Sequence, residues 1–156
     1  MKSRIYLETS VISYLTSWPS RDLVRAGHQE TTREWWAARS AFELYISQLV
    51  LDEAAAEDAS AAAKRLEALR AIPLLELTTD ATALGRDLIR DAALPAKAAA
   101  DALHIALAAT HGMDCLVTWN CTHIANATMR PKIEAICRAN GFEPPVICTP
   151  LELLEE

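Results

Sequence analysis

Along the chain, short apolar runs alternate with longer segments in which apolar residues recur every three or four positions. Residues 4–7 are a brief β-prone run closed by Glu8-Thr9-Ser10, after which Val11, Ile12 and Leu15 take the spacing of a helix face. Trp18-Pro19-Ser20 interrupts that helix, and Ser20 is placed to cap a long amphipathic segment reaching about residue 40. Residues 42–47 read as a second strand, residues 48–57 and 60–71 as helices rich in Ala and Leu, and residues 72–77 as a third strand. A helix is predicted over 80–93 and stopped by Pro95, and a mostly apolar one over 98–111 ended by Gly112. Residues 115–118 are a fourth strand, 126–140 a helix with Gly141 after it, and 146–149 a last strand. Strands alternating with helices imply right-handed crossovers and a parallel sheet of about five strands covered on both faces, a three-layer α/β/α fold. With 156 residues and neither repeat nor linker, residues 1–156 are expected to form one domain.

A hydrophobic fraction of 51% with 23% charged residues excludes disorder and promises a sizeable core. The longest charge-free stretches, 9–20 and 115–129, are short and studded with hydroxyls and amides, so no membrane span is expected. Glu8 interrupts the N-terminal apolar run too early for a secretory signal, and a cytoplasmic location is expected. Cys115, Cys121, Cys137 and Cys148 form no CxxC pair and read as reduced thiols; Cys121 with His123 fits no common zinc spacing. The net charge of −6 argues against holding nucleic acid by bulk electrostatics. The charge is unevenly spread, however, with six Lys/Arg against five Asp/Glu in residues 1–51 and nine against sixteen beyond. Any anion-binding surface should therefore draw on the first third, which also holds Trp18, Trp35 and Trp36.

The scattered glycines leave no GxGxxG and no phosphate-cradling loop, and there is neither a GxSxG elbow nor a DxD after the first strand. What remains is a set of polar residues at strand ends. Glu8 ends the first strand, where a parallel sheet opens its ligand crevice. Glu53 lies in the helix after the second strand, although it can also be read as one of several surface acids with Asp52 and Glu57. Asp101 stands in an otherwise apolar helix, where an unpartnered carboxylate would cost several kcal/mol to bury, unless it serves as a carboxylate favoured by the helix dipole. Asn120 follows the fourth strand. Three carboxylates and an amide meeting at one crevice would call for a hard cation, Mg²⁺ or Mn²⁺, and hence for metal-assisted phosphodiester hydrolysis.

Taken together, Ile5-Tyr6-Leu7-Glu8-Thr9-Ser10-Val11, the segment Ser47 to Glu53, Asp101-Ala102-Leu103-His104-Ile105-Ala106 and Leu116-Val117-Thr118-Trp119-Asn120 resemble the four ordered motifs of the PIN-domain family. The match is closest to toxin ribonucleases of type II toxin-antitoxin systems, of the virulence-associated protein C kind. The resemblance implies Mg²⁺ or Mn²⁺ at the acidic cluster, endoribonuclease activity on RNA, a homodimer and a cognate antitoxin covering the site. Carried over by position, it implies that Glu8, Glu53 and Asp101 are metal-site carboxylates. It also places Asn120 where the family often has an acidic residue, with Ser10 and Thr118 as hydroxyls that orient ligands or bound water. Glu8 is one methylene longer than the more usual Asp, and Asn120 lacks a charge, so a PIN-fold binding or regulatory module with a weakened site is the alternative. A purely structural partner-binding domain is the third possibility. His104 reads as a structural histidine, His123 stands near the site, and Trp35-Trp36 serve either packing, a dimer interface or RNA bases.

Overall fold

The computed structural model describes residues 1–91, 94–95 and 98–154. Its elements follow in the order β1 (Arg4–Leu7), α1 (Thr9–Thr16), α2 (Leu23–Ala37), β2 (Glu43–Ser47), α3 (Gln48–Ala54), α4 (Ala59–Leu69), β3 (Leu74–Leu75), α5 (Thr79–Arg90), α6 (Ala99–Thr110), β4 (Cys115–Val117), α7 (Arg130–Ala139) and β5 (Val146–Cys148), with 3₁₀ turns at Arg39–Ala41 and Pro150–Leu153. The five strands form one parallel sheet in the order β3-β2-β1-β4-β5, so the expected three-layer α/β/α architecture is what the chain adopts. β1 is the hub of that order. Ile5, Tyr6 and Leu7 are all at 0% exposure because both edges are paired and both faces are covered, which is why the run carries no alternation of polar and apolar residues.

The chain winds outward from β1 to β2 and β3, then returns to the other side of β1 for β4 and β5. The order therefore reverses between β1 and β4, and in open parallel sheets the crevice at such a reversal, beyond the carboxyl ends of the strands, is where ligands bind. Register fixes what lies there. Leu7 pairs with Val117, so the next residues, Glu8 and Thr118, emerge side by side, and the Glu8 N–H donates to the Val117 carbonyl at 3.1 Å. Behind them α6 is nearly all core, with Ala102, Ile105, Ala106, Leu107, Ala108 and Ala109 buried. α5 packs on it through Gly85, where an added Cβ would lie 3.8 Å from Leu103 Cδ1 and 3.9 Å from Ala106 Cβ, ordinary contact that records how close the two helices run.

Several boundaries differ from the sequence reading for identifiable reasons. α2 is capped not by Ser20 but by Asp22, whose carboxylate accepts the Arg25 N–H at 2.8 Å; Ser20 instead accepts the Asp22 N–H and orders the turn before the helix. The helix expected over 48–57 ends at Ala54, with Glu57 at a φ of 67° in the turn that follows. β3 shrinks from six expected residues to two, flanked by Pro73, which can donate no ladder bond and contributes only its carbonyl to Ile46. α7 begins four residues late, at Arg130 with Pro131 in its first turn, because the Asn126 carboxamide holds the preceding turn by accepting from Thr128 N and Oγ1. The final residues expected for the helix over 80–93, Ala92 and Ala93, lie outside the described residues. No described helix is long and apolar enough to cross a membrane.

Trp35 is wholly buried in the core and so is unavailable for stacking on a base, while the half-buried Trp36 ring carries the Arg39 guanidinium 4.5 Å from its centroid. Trp119 is 8% exposed, its indole N–H donating to Thr32 Oγ1 at 2.8 Å and its ring stacked 4.1 Å from that of His28 and 5.9 Å from that of Tyr14. These contacts pin the segment after β4 against α1 and α2 and so fix the flanking Thr118 and Asn120.

Candidate metal centre

Glu8 closes β1 and at the same time caps α1, its side chain accepting the Ser10 N–H at 3.1 Å. The position suits a carboxylate, since a helix N-terminus favours negative charge, and Glu8 is buried there at 6% exposure. The Ser10 hydroxyl and the Thr118 hydroxyl, the latter at 2.6 Å, donate to the same oxygen, Oε1. The two hydroxyls are themselves fixed, Ser10 Oγ accepting from Trp119 N at 2.8 Å and Thr118 Oγ1 from Asn120 N at 2.9 Å. The structure thus places Ser10 and Thr118, the two hydroxyls singled out in the sequence, on one oxygen of Glu8. Among the described residues, no hydrogen bond reaches Glu8 Oε2 and no Lys, Arg or His forms an ion pair with Glu8.

Glu53 comes from α3, whose N-cap is Ser47 at the end of β2. Its Oε1 accepts the Thr9 hydroxyl at 2.6 Å and lies 2.6 Å from His104 Nε2, while Oε2 again has no partner among the described residues. Burial acts to raise the Glu53 carboxyl, but the hydrogen bonds from His104 and the Thr9 hydroxyl outweigh it and hold the carboxyl below its ordinary value. Glu8, Glu53 and His104 offer one ligand atom each within 4.8 Å of one another.

Asp101 does not belong to that trio. It sits in the first turn of α6, where its Oδ1 accepts from Asn120 Nδ2 at 3.0 Å and its Oδ2 from His123 Nδ1 at 2.9 Å. Asn120 in turn accepts the N–H groups of Thr122 and His123 on its Oδ1, at 3.2 and 3.1 Å. Both lone pairs of that oxygen are engaged, so in this arrangement Asn120 braces the loop and Asp101. The four residues singled out in the sequence thus form two neighbouring groups, linked through Thr118 to Asn120 and along one turn of α6 from Asp101 to His104. Thr9, Tyr6 and the pairing role of His104 were not anticipated. The three-residue step from Asp101 to His104, which puts both on one helix face, was the available signal.

The donor chemistry fits a divalent cation. Two carboxylates converge with one oxygen each free of protein partners, the more buried of them has no cationic neighbour among the described residues, and hard oxygens of this kind suit Mg²⁺ and Mn²⁺. His104 has both ring nitrogens committed to hydrogen bonds, which leaves the two glutamates as the donors at hand, with Asp101 one helical turn away.

The chain is thus an α/β protein with a doubly wound parallel sheet that gathers acidic side chains at its topological switch point, where such sheets bind their ligands. The chain belongs to the PIN domain family, whose model matches residues 5–120, a span that runs from β1 to Asn120 and contains every residue of the site except His123. PIN domains are generally metal-dependent nucleases, and the acidic cluster could bind such a metal. A search of curated proteins gives no significant match.

Proposed function

We propose that this chain is a divalent-metal-dependent endoribonuclease, hydrolysing RNA phosphodiester bonds with Mg²⁺ or Mn²⁺, and that it is the toxin component of a toxin-antitoxin pair acting in the cytoplasm. The observation that carries the reading is the convergence of Glu8 and Glu53 at the sheet's switch point, each braced on one oxygen and open on the other. Glu8 and Glu53 would hold the cation, and Asp101, the third carboxylate of the resemblance, would join them only by giving up its Asn120 or His123 bond. When bound, such an ion polarises the phosphoryl oxygens and lowers the pKa of a coordinated water. The residues of the chain do the rest: Ser10 and Thr118 fix the Glu8 carboxylate, Thr9 and His104 fix Glu53, and Asn120 with His123 fixes Asp101. A homodimer and a cognate antitoxin covering the site belong to the same reading, and a small reading frame beside this one would support it.

One observation favours a second reading, a PIN-fold binding or regulatory module with a weakened site. Asn120 stands where the family often has an acidic residue, and its amide oxygen is spent on two loop N–H groups. Cleavage decides between them. Purified protein incubated with single-stranded RNA and Mn²⁺ is expected to cut it, with EDTA abolishing the cut. RNA left intact with Mn²⁺ bound would favour the module, and cutting that persists in EDTA would refute metal-dependent hydrolysis.

A further inference from the structure

Behind Glu53 runs a line of buried polar groups that the metal chemistry does not itself require. His104 is wholly buried, with Nε2 2.6 Å from Glu53 Oε1 and Nδ1 2.7 Å from the Tyr6 hydroxyl. Tyr6, also at 0% exposure, lies 2.8 Å from Ser47 Oγ, and Ser47 accepts the Val50 N–H at 3.4 Å as N-cap of α3, the helix that carries Glu53. The line therefore begins and ends on the same helix, passing through β1 and α6.

Donor accounting gives it one direction. The Glu53 carboxylate only accepts, so His104 donates from Nε2; with the imidazole neutral, its Nδ1 accepts from Tyr6, and the Tyr6 oxygen accepts from Ser47. Each hydroxyl or ring N–H donates once, and each acceptor short of Glu53 accepts once. The reverse tautomer would leave Nε2 without a proton against a carboxylate, two acceptors 2.6 Å apart. A buried structural histidine needs only to be satisfied. This one is locked by two further buried hydroxyls into the tautomer that donates to Glu53, and together with Thr9 it places two donors on one carboxylate oxygen, which fixes the plane of a side chain that is 33% exposed.

We propose that His104, its tautomer set by Tyr6 and Ser47, is a positioning residue that holds Glu53 by Oε1 and thereby keeps Oε2 presented to the cation site. The inference rests on the nuclease reading for its consequence in turnover but not for its effect on metal binding. Groups that orient a metal-binding side chain typically cost 10–100-fold in affinity or activity when removed.

The test uses the intact chain with His104→Leu, His104→Gln and Tyr6→Phe, measuring Mn²⁺ affinity by electron paramagnetic resonance, kcat and KM on single-stranded RNA, and melting temperature in EDTA. His104→Leu is expected to weaken Mn²⁺ binding and lower kcat by about 10–100-fold with KM nearly unchanged. His104→Gln, whose amide N–H can still reach Glu53, should restore part of both, and Tyr6→Phe should shift both in the same direction by less. Nitrogen-15 spectra of the imidazole should show the Nε2–H tautomer in the parent, and an Nδ1–H tautomer would overturn the assignment. Should His104→Leu fail to fold, Tyr6→Phe and the spectra still decide. Variants that melt lower but bind Mn²⁺ and turn over as the parent does make His104 merely structural, and a His104→Gln that loses as much Mn²⁺ affinity as Glu53→Gln makes it a ligand; either result overturns positioning. A parent that binds Mn²⁺ and leaves RNA intact refutes the nuclease reading alone, whereas a parent that binds no Mn²⁺ refutes both.

Discussion

The two acidic corners of the site are built on opposite principles. At the carboxyl ends of β1 and β2, Glu8 and Glu53 are each gripped on one oxygen by hydroxyls, a backbone N–H or an imidazole, and keep the other oxygen free of protein partners among the described residues. At the N-terminus of α6, Asp101 has a partner on each oxygen, an amide on one side and an imidazole on the other. The first corner leaves two carboxylate oxygens open, as the proposed cation site requires, and the second has its oxygens taken by the protein's own donors. Metal-free repulsion should therefore concentrate between Glu8 and Glu53, while Asp101 should behave as a stabilising member of a small polar network.

The largest effect expected is at Glu53. Glu53→Gln should lower cleavage by orders of magnitude, because it removes a charge that the transition state relies on through the cation. It should also remove most of the stabilisation by excess Mn²⁺, which is about 2.7 kcal/mol for a site at 100-fold excess over its dissociation constant. Melts with and without Mn²⁺ beside cleavage assays check both, and a variant that gains as much from Mn²⁺ as the parent would move the cation away from this corner.

Asp101→Asn should act in the opposite sense from a change in a repelling cluster. In EDTA it removes the anion facing His123 and should cost about 1 kcal/mol, seen as a melting temperature lower by about 2–4 °C. A rise instead would mean that Asp101 is repelled by Glu8 and Glu53, and the two corners would be one. Asn120→Asp sharpens the same point. The substitution sets a carboxylate against Asp101, where an amide now donates at 3.0 Å, and should lower the metal-free melting temperature by a few degrees. Part of that loss should be recovered in Mn²⁺, a recovery that calorimetric titration would show as tighter binding.

The smallest effect is in pH. Because the Glu53 carboxyl is held below its ordinary value of 4.5, the hydrogen bonds it accepts from His104 and Thr9 contribute stability that is complete above the unfolded value and is lost as the pH falls through the lowered one. In EDTA, the stability gap between parent and Glu53→Gln should thus be constant above about pH 5.5 and close below 4.5. A gap that persists into strong acid would contradict the His104 and Thr9 contacts.

Much of this was legible in the sequence, and the parts that were not share a cause. The layer order followed from apolar runs giving way to helical spacing, and Glu8 could be placed because a residue ending a central strand must reach the crevice whatever else the chain does. Boundaries failed where a single side chain competed with periodicity, as Asp22 did for the cap of α2 and Asn126 for the start of α7. At the site, Glu53 and His104 are 51 positions apart and meet only because α3 and α6 flank β1. Nothing local marks that pairing. Likewise the partners of Asp101, Asn120 and His123, were hidden because they lie in a loop whose turn is set by backbone N–H groups folding onto Asn120 Oδ1.

The most direct test of the central claim is a crystal of the protein grown or soaked with Mn²⁺ and measured for anomalous scattering. The account predicts a peak in contact with an oxygen of Glu8 and an oxygen of Glu53, at coordination distances of about 2.0–2.3 Å, with the Glu8 and Glu53 bonds to Ser10, Thr118, Thr9 and His104 retained. A crystal saturated with Mn²⁺ whose anomalous peaks lie elsewhere, with the crevice between Glu8 and Glu53 holding only water, would contradict it.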